Sequence, residues 1–579
     1  MSITPSLVAS RTSGAAPLYV HFDATATDST ATTYEFHECK FTWSFGDASA
    51  GTFSTTGKSR NTAYGPMAAH VFESGGTFTV TLTVKDTDGT TASTTQDIVV
   101  TASDAAWPTT STTVVSQTGT WTGEPTGATR LQTSNWADVV ALIASNRRIL
   151  LRRGETWTVT SSTTIPRTAT VGYFGSFGSG TVATITCGTA GVTIFTLNGD
   201  DWRFCDLLIQ GNNSGISVSS GFNLNNAYNT SGTDGYGVRN ILISRCEVRY
   251  CVDNIGGAVW YVGANVLVSK LCCSYESNVH HGPSGSYNYG WSANGLYHAI
   301  LGSNFSYGGG PGGGHNIRLS VWSHFILSHS VVSHNQSSLR LSLKLHSEVA
   351  YVAWWPYSHK AVISDCSSTG GSSQTYGFDV GPQDMGSAED LRDILVERCW
   401  VKCAQRPFVL GAVLRGTIRN CIAQNTSFIQ DDFYGIWVTR YGVAQVPDRI
   451  WVYNNTIYDD RTRAGDTKSG VLISNGTNVT VRNNYASFPG AAGIESAVTD
   501  STGTALVSNN TVTDTPGFAT AGSNFHLVAG SAAINTGSAV ATVYDDYDNV
   551  TRVANYEQGA FEYASGGDPG TAIIWGVVT

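Results

Sequence analysis

From about residue 200 onward the chain repeats one short pattern of apolar and polar positions: apolar, any residue, apolar, two polar positions, then Asn, Cys or Ser. The copies read ILISRC (241–246), VLVSKL (266–271), AILGSN (299–304), FILSHS (325–330), AVISDC (361–366), ILVERC (394–399), GTIRNC (416–421), IWVYNN (450–455), VTVRNN (479–484) and ALVSNN (505–510). RFCDLL (203–208) is a weaker first copy, and successive onsets lie 22 to 38 residues apart. Strands this short, with no helical period between them, predict a solenoid whose turns carry loops of variable length, that is, a parallel β-helix. The sixth position becomes an internal ladder: Leu208, Cys246, Leu271, Asn304, Ser330, Cys366, Cys399, Cys421, Asn455, Asn484 and Asn510. Turns stacked about 4.8 Å apart let Asn side chains hydrogen-bond along the axis, and Cys fills the same slot as a small apolar residue. The ladder cysteines are therefore structural rather than nucleophilic.

A second strand precedes the ladder motif in each turn: HNIRLS (315–320), LSLKLH (341–346), YGFDVG (376–381), RPFVLG (406–411), YGIWVT (434–439) and SGVLIS (469–474). Alternate residues of a strand face opposite sides. Ile317, Leu343, Phe378, Phe408, Ile436 and Val471 are predicted to point inward, as are Leu319, Leu345, Val380, Leu410, Val438 and Ile473. The residues between them, Arg318, Lys344, Asp379, Val409, Trp437 and Leu472, are predicted to face solvent in one column. His346 lies one outward step beyond Lys344, and Arg340 lies on the other side of it. Nine of the 13 histidines fall between His280 and His359, which marks the same region. His280, His281, His315 and His346 are the ones placed over the charged column. The competing reading is a charged ladder that only stabilises neighbouring strands.

The first hundred residues follow a different pattern. FTWSFGD (41–47), HVFESGGTFTVTLTVKDTDG (70–89) and TTQDIVVTA (94–102) alternate as strands and carry a hairpin signal at Asp88-Gly89. They read as a β-sandwich with Trp43 in its core and Asp47 in a turn. The WSFGD string, the His-x-Phe-x-x-x-Gly segment and the TVTLTVKD strand closely resemble a polycystic-kidney-disease (PKD) type Ig-like domain. That resemblance implies a spacer or adhesion module without chemistry of its own. Residues 103–130, rich in Thr, Ser, Gly and Pro, read as a linker. Ser134–Ser145 reads as a short amphipathic helix, N-capped by Ser134, that plugs the solenoid, and 147–159 as its first strand. Segment 526–563 resembles the closing part of β-helix proteins of the pectate-lyase-like superfamily, which implies a right-handed helix. The expected fold is all-β: an Ig-like sandwich (1–102), the linker (103–130), a right-handed parallel β-helix of about eleven or more turns with its capping helix (131–564), and a tail (565–579).

Composition narrows the function. Charged residues make up 13% and the formal net charge is −10, which argues against nucleic acid as partner, since phosphate binding needs a Lys/Arg excess. No apolar run approaches a membrane span, and the N-terminus lacks the basic-then-apolar pattern of a signal peptide. An extracellular or virion-associated location is expected. Eleven Cys with no CxxC pair indicate neither a disulfide framework nor a zinc site. No cofactor is required by this reading; Ca2+ is compatible with it, but no ligand pattern argues for one.

The expected function is a polysaccharide depolymerase that binds a glycan along the strand face. Lys344, Asp379, Arg318, His346 and Asp384 are the catalytic candidates, and Trp437, Tyr376, Arg340, His281 and His315 the substrate-binding ones. Two mechanisms are open. In β-elimination an unprotonated Lys344 removes the proton beside a uronate carboxylate neutralised by Arg318. In hydrolysis Asp379 pairs with Asp384, Glu389 or Asp390 as acid and base. The alternative is a non-catalytic glycan-binding tail spike or adhesin. No feature of the sequence sets the oligomeric state.

Overall fold

The computed structural model describes residues 2–212, 218–224, 236–256, 268–280, 289–292, 295–306, 315–320, 322–333, 342–347, 358–370, 375–382, 391–403, 405–425, 432–443, 445–461, 464–490 and 492–563. Between Thr112 and Thr513 the strands stack in parallel into three sheets of 18, 13 and 12 strands. One rung illustrates the rest: Val413–Arg419 in the first sheet, Ile422–Asn425 in the second and Phe433–Thr439 in the third. The chain is a right-handed parallel β-helix with thirteen strands in its second sheet.

The corner between the first two sheets is a single residue in the left-handed region. Asp206, Arg245, Glu276, Gly302, His329, Asp365, Arg398, Asn420, Asn454, Asn483 and Asn509 all have φ between 48° and 59°. Asn, Asp and His are the side chains that tolerate this conformation best, whereas Arg and Glu are strained there by about 1–2 kcal/mol each. The next residue turns inward and forms the ladder. Cys421 N–H donates to Asn455 Oδ1 (2.9 Å), Asn455 N–H to Asn484 Oδ1 (3.0 Å) and Asn484 N–H to Asn510 Oδ1 (2.9 Å). All eleven cysteines are buried, and none forms a disulfide. Three positions of the expected ladder are one residue or more out of register. Leu207, Ser277 and Ser303 fill the slots rather than Leu208, Leu271 and Asn304. Cys246 N–H donates to Ser277 Oγ, Ser277 N–H to Ser303 Oγ and Ser303 N–H to Ser330 Oγ. The largest displacement, at Leu271, arises because 268–270 belongs to an extra strand of the 18-stranded sheet, and Cys273–Tyr275 makes the true rung.

The N-terminal end is closed by a helix over Trp136–Val140, whose Asn135 side chain accepts from Ala137 N–H (3.2 Å) and which buries Trp136 and Val139. It starts later than expected because Asn135, not Ser134, supplies the capping oxygen, and it ends early in i→i+3 turns through Ile143. The linker reading of 103–130 is overturned: Thr112–Ser116 is a fully buried strand paired in parallel with Arg148–Arg152. It is thus the solenoid's first strand, ahead of 147–159. Its apolar pair Val114-Val115 was masked by flanking Ser and Thr, which suit a strand as well as a loop. The expected tail, 565–579, lies outside the described residues.

The N-terminal sandwich packs along the flank of the solenoid. Its strands Leu18–Asp23 and Met67–Phe72 are buried almost throughout. Leu18, Val20, Phe22, Ala68 and Phe72 join Trp43 in the sandwich core. Their alternates Tyr19, Met67, Ala69 and Val71 pack with Phe53 against Leu242, Leu271, Tyr275, Ala299, Leu301, Ile326 and Val362 of the 18-stranded sheet. The left-handed corner residues reach out to the same module. Arg245 pairs with Glu73, Asp365 with Lys58 (2.7 Å) and Glu276 with Arg60 (2.9 Å). His329 stacks on Phe53 at 4.3 Å, and Arg398 sits over Tyr64 at 5.0 Å. Further along, the same row holds the C-terminal segment. Asn420, Asn454, Asn483 and Asn509 donate through Nδ2 to the carbonyls of Asp545, Glu557, Ser538 and Thr536.

Candidate functional site

The 12-stranded sheet sets the register of the charged column. Ser292, Arg318, Lys344, Asp379, Val409, Trp437 and Leu472 are successive partners. The twelve alternates predicted to face inward all lie in the main core. The column itself does not lie open to solvent, contrary to expectation: Arg318 is 2%, Lys344 4% and Asp379 3% exposed.

Part of the covering comes from a residue that the sequence did not single out. Tyr441 comes after the strand Phe433–Thr439, takes a positive φ of 52°, and lays its ring 5.3 Å from Lys344 Nζ. The ring rests where Gly381 and Gly411 leave room; a Cβ at either would come within 2.7 Å of it. These glycines continue the outward column of His346, one step beyond Lys344. The signal was present in the aligned strands, as a column reading Ser320, His346, Gly381, Gly411, Thr439, whose two missing side chains imply something lying across them.

Lys344 Nζ donates to Asp379 Oδ2 (2.9 Å) and to the Pro382 carbonyl (3.1 Å). Asp379 Oδ1 and the Tyr441 hydroxyl are both buried, neither makes a hydrogen bond of good geometry among the described residues, and the two groups interact with each other. Burial, and then the charge of Asp379, push the Tyr441 phenol well above its ordinary range. His346 Nε2 lies 3.1 Å from Ser320 Oγ. Burial, reinforced by Arg318, Lys344 and His315, pushes its imidazole well below the usual range and keeps it neutral. Arg318 stands over the Tyr289 ring at 5.8 Å, and His315 packs edge-on to the same ring at 5.9 Å.

Beside this polar group runs an aromatic row. Arg406 lies 4.5 Å from the Trp437 ring centre, 4.9 Å from Tyr376 and 5.8 Å from Tyr434, and donates to the Tyr376 hydroxyl. Trp437 donates through Nε1 to Ser474 Oγ (2.8 Å) and meets Tyr441 edge-on at 5.3 Å. Trp437, Tyr376 and Tyr434 are half-buried. Arg406 and Tyr434 were legible in the aligned strings, where they share the first position with Tyr376. Arg340, His281 and Asp384, together with Glu389 and Asp390, lie outside the described residues.

The histidine concentration marks a different surface from the one expected. His324 pairs with Asp23 (3.2 Å) and stacks on Tyr297 (4.5 Å), and its carbonyl lies 3.0 Å from His21 Nε2. With His329 on Phe53, it belongs to the contact with the N-terminal sandwich. His280 meets Ser306, and His298 lies fully buried beside Ser269. Among the described histidines of that stretch, His315 and His346 are the ones beside the column.

Residues 4–102 match the model of the PKD domain, so the chain is a PKD domain followed by a parallel β-helix. No curated protein matches the sequence. Among solved structures it is similar to the family 28 exopolygalacturonase of Yersinia enterocolitica, at 8% identity and TM-score 0.44 over 87% of this chain and 98% of that one. It is also similar to the Dettilon tailspike protein gp208, at 12% identity and TM-score 0.39 over 66% and 68%. A third is PfbA, a surface adhesin of Streptococcus pneumoniae, at 11% identity and TM-score 0.36 over 63% and 86%. Among the described residues no helix is long and apolar enough to cross a membrane, and no group of His, Cys, Asp or Glu is arranged to hold a metal ion.

Proposed function

We propose that the outward face of the 12-stranded sheet binds and cleaves a polysaccharide outside the cell or on a virion. The observation that carries this reading is the buried Lys344–Asp379 pair, roofed by Tyr441 and flanked by a half-buried aromatic row. In a chain with so few charges, a carboxylate with one oxygen held by a lysine and interacting with a buried phenol is suited to proton transfer. The rings of Tyr376, Tyr434 and Trp437 offer flat apolar surface of the kind a sugar ring stacks on.

Lys344 already donates to a carboxylate and a carbonyl, as an ammonium does, which favours Asp379 over Lys344 as the proton-transferring group. Lys344 then holds that carboxylate in place, and Arg318 supplies positive charge one rung away. Hydrolysis is the mechanism this arrangement favours over β-elimination. The second carboxylate it needs is to be sought at Asp384, Glu389 and Asp390. One observation favours the non-catalytic alternative: Lys344 and Asp379 neutralise each other as an ion pair.

Incubation with a panel of neutral and acidic polysaccharides separates these readings. New reducing ends without ultraviolet-absorbing product mean hydrolysis; Asp379→Asn is then expected to lower the rate about 100-fold or more. An unsaturated product lost in Lys344→Ala would instead establish elimination. Binding with no cleavage of any glycan would leave the adhesin reading standing.

A further inference from the structure

Four arginines packed into this protein each hold a carboxylate. Arg398 pairs with Asp365 (3.0 Å), Arg419 with Glu397 (2.8 Å), Arg415 with Asp393 (2.6 Å) and Arg552 with Glu562 (2.6 Å). A guanidinium drawn out of water ordinarily needs such a partner, because desolvating a charge is costly. Arg406 differs. It is half-buried, yet among the described residues it pairs with no carboxylate. Its side chain donates to the Tyr376 hydroxyl, and its buried Nε makes no hydrogen bond there. Asp432, two residues before Tyr434, is engaged elsewhere: it accepts from the Tyr434 hydroxyl (3.0 Å) and from Thr467 N–H (3.1 Å).

Arg406 is held instead by rings from both neighbouring rungs. Tyr376 is its register partner on one side, and Tyr434 and Trp437 belong to the strand Phe433–Thr439 on the other. Aromatic faces attract a cation without neutralising it. A planar guanidinium stacked in this way is pre-organised to take a carboxylate through two parallel N–H···O bonds. The cage also stands close to the charged column. Tyr376 lies three residues before Asp379 on one strand, about 10 Å at the rise of a strand. The Arg406 side chain reaches from there to Trp437, whose strand partner Val409 is also the partner of Asp379. A glycan lying on this face thus brings neighbouring sugars to Arg406 and to Asp379.

We propose that Arg406 is a specificity-determining residue that receives a carboxylate of the glycan, so that the substrate is an acidic polysaccharide with its charged sugar seated beside Asp379. The inference rests on the reading of this sheet face as a glycan-binding surface. The net charge of −10 offers a polyanion no long-range attraction, so selection for the acid is made at the contact itself.

The test measures, on the full chain, the affinity for carboxylated polysaccharides and for their own carboxyl-reduced forms, in which each acid has become a primary alcohol. Polygalacturonate and alginate carry the acid as a uronate and a pyruvylated galactan carries it as a ketal, so the two sources of carboxylate are read separately. At least one acidic glycan is expected to bind about tenfold or more tighter than its reduced form. In Arg406→Gln that difference is expected to collapse through lost affinity for the acidic form. Arg406→Lys, which keeps the charge but not the planar fork, should retain part of it. Where the glycan is cleaved, the loss should fall mainly on KM. Equal binding of acidic and reduced forms by the unaltered chain, a measurement that needs no variant, overturns the inference and leaves the glycan-binding reading intact. Weakening of both forms alike in Arg406→Gln also overturns it, since the arginine then only braces the rings. Binding of no glycan in either form removes both the inference and the reading beneath it.

Discussion

Lys344 and Asp379 show what a sequence reveals about a side chain and what it hides. Their column was legible because strand alternation and the repeat register fix which residues align. Their burial was not, because it depends on Tyr441 reaching back from a turn, which no local pattern reports. The consequence is energetic. On an open face either residue could be replaced at a cost within about half a kcal/mol. Removing one partner of a buried pair leaves the other's charge uncompensated, and Lys344→Ala or Asp379→Ala is expected to cost about 3–5 kcal/mol. The double variant Lys344→Met/Asp379→Leu should cost less than either single one, and denaturant unfolding of the three proteins checks it. Equal, negligible costs would return the pair to the surface. Tyr441→Phe keeps the roof and removes the hydroxyl that faces Asp379. With Asp379 as the proton-transferring group, this change should leave the unfolding midpoint nearly unchanged and shift the pH profile of cleavage. A loss of stability without a change in that profile would make the tyrosine structural.

At the scale of elements, the corner residues carry more than the sequence motif suggested. The position before the ladder was legible only as polar, yet at each rung it takes the left-handed conformation and, Asp206 and Gly302 apart, points its side chain toward whatever packs on that edge. Arg245, His329, Asp365 and Arg398 meet the PKD domain; Asn420 to Asn509 meet the C-terminal segment. The contact with the PKD domain buries titratable groups. His21 is pushed down to about 3 and His329 to about 4, both chiefly by burial, and His37 is lowered for the same reason. His21 faces His324 and Asp23; His329 faces Asp365, Lys58 and Arg398; His37 faces Asp393, Arg415 and Arg419. A histidine whose folded pKa lies below its unfolded value near 6.5 stabilises the contact fully only above that value. The stabilisation is lost as pH falls from about 6.5 toward 4. Asp23, Asp365 and Asp393 are held below the carboxylate range, so their contribution declines only at still lower pH. The docked domain is therefore expected to loosen between about pH 6 and 4, seen as faster proteolysis within 1–102. His329→Gln should flatten part of that dependence, and a profile unchanged down to pH 4 would contradict it.

At the scale of the molecule, the family of the first hundred residues was legible, whereas its role as a free spacer was only implied by resemblance. The sequence contained a sign of the packing. LYVHF (18–22) and MAAHVF (67–72) are nearly continuous apolar runs, which mark strands buried on both faces, while the outer strands of the same sandwich alternate with Thr. A spacer would unfold independently and could be removed without consequence. Here its removal uncovers Leu242, Leu271, Tyr275, Ile326 and Val362, a contiguous apolar strip of the kind soluble proteins do not leave exposed. It also strips Glu276 of Arg60 and Asp365 of Lys58, although Asp365 keeps Arg398. Residues 103–579 alone are therefore expected to aggregate or to unfold at a markedly lower denaturant concentration than the whole chain. The whole chain should unfold without a separate early transition for the PKD domain. A milder variant, Met67→Asp with Val71→Asp, breaks the contact while leaving the sandwich core intact, because both side chains face the solenoid and not Trp43. It should split calorimetric unfolding into two transitions. A whole chain that already shows two, together with a stable and soluble 103–579, would establish the domain as an independent spacer after all.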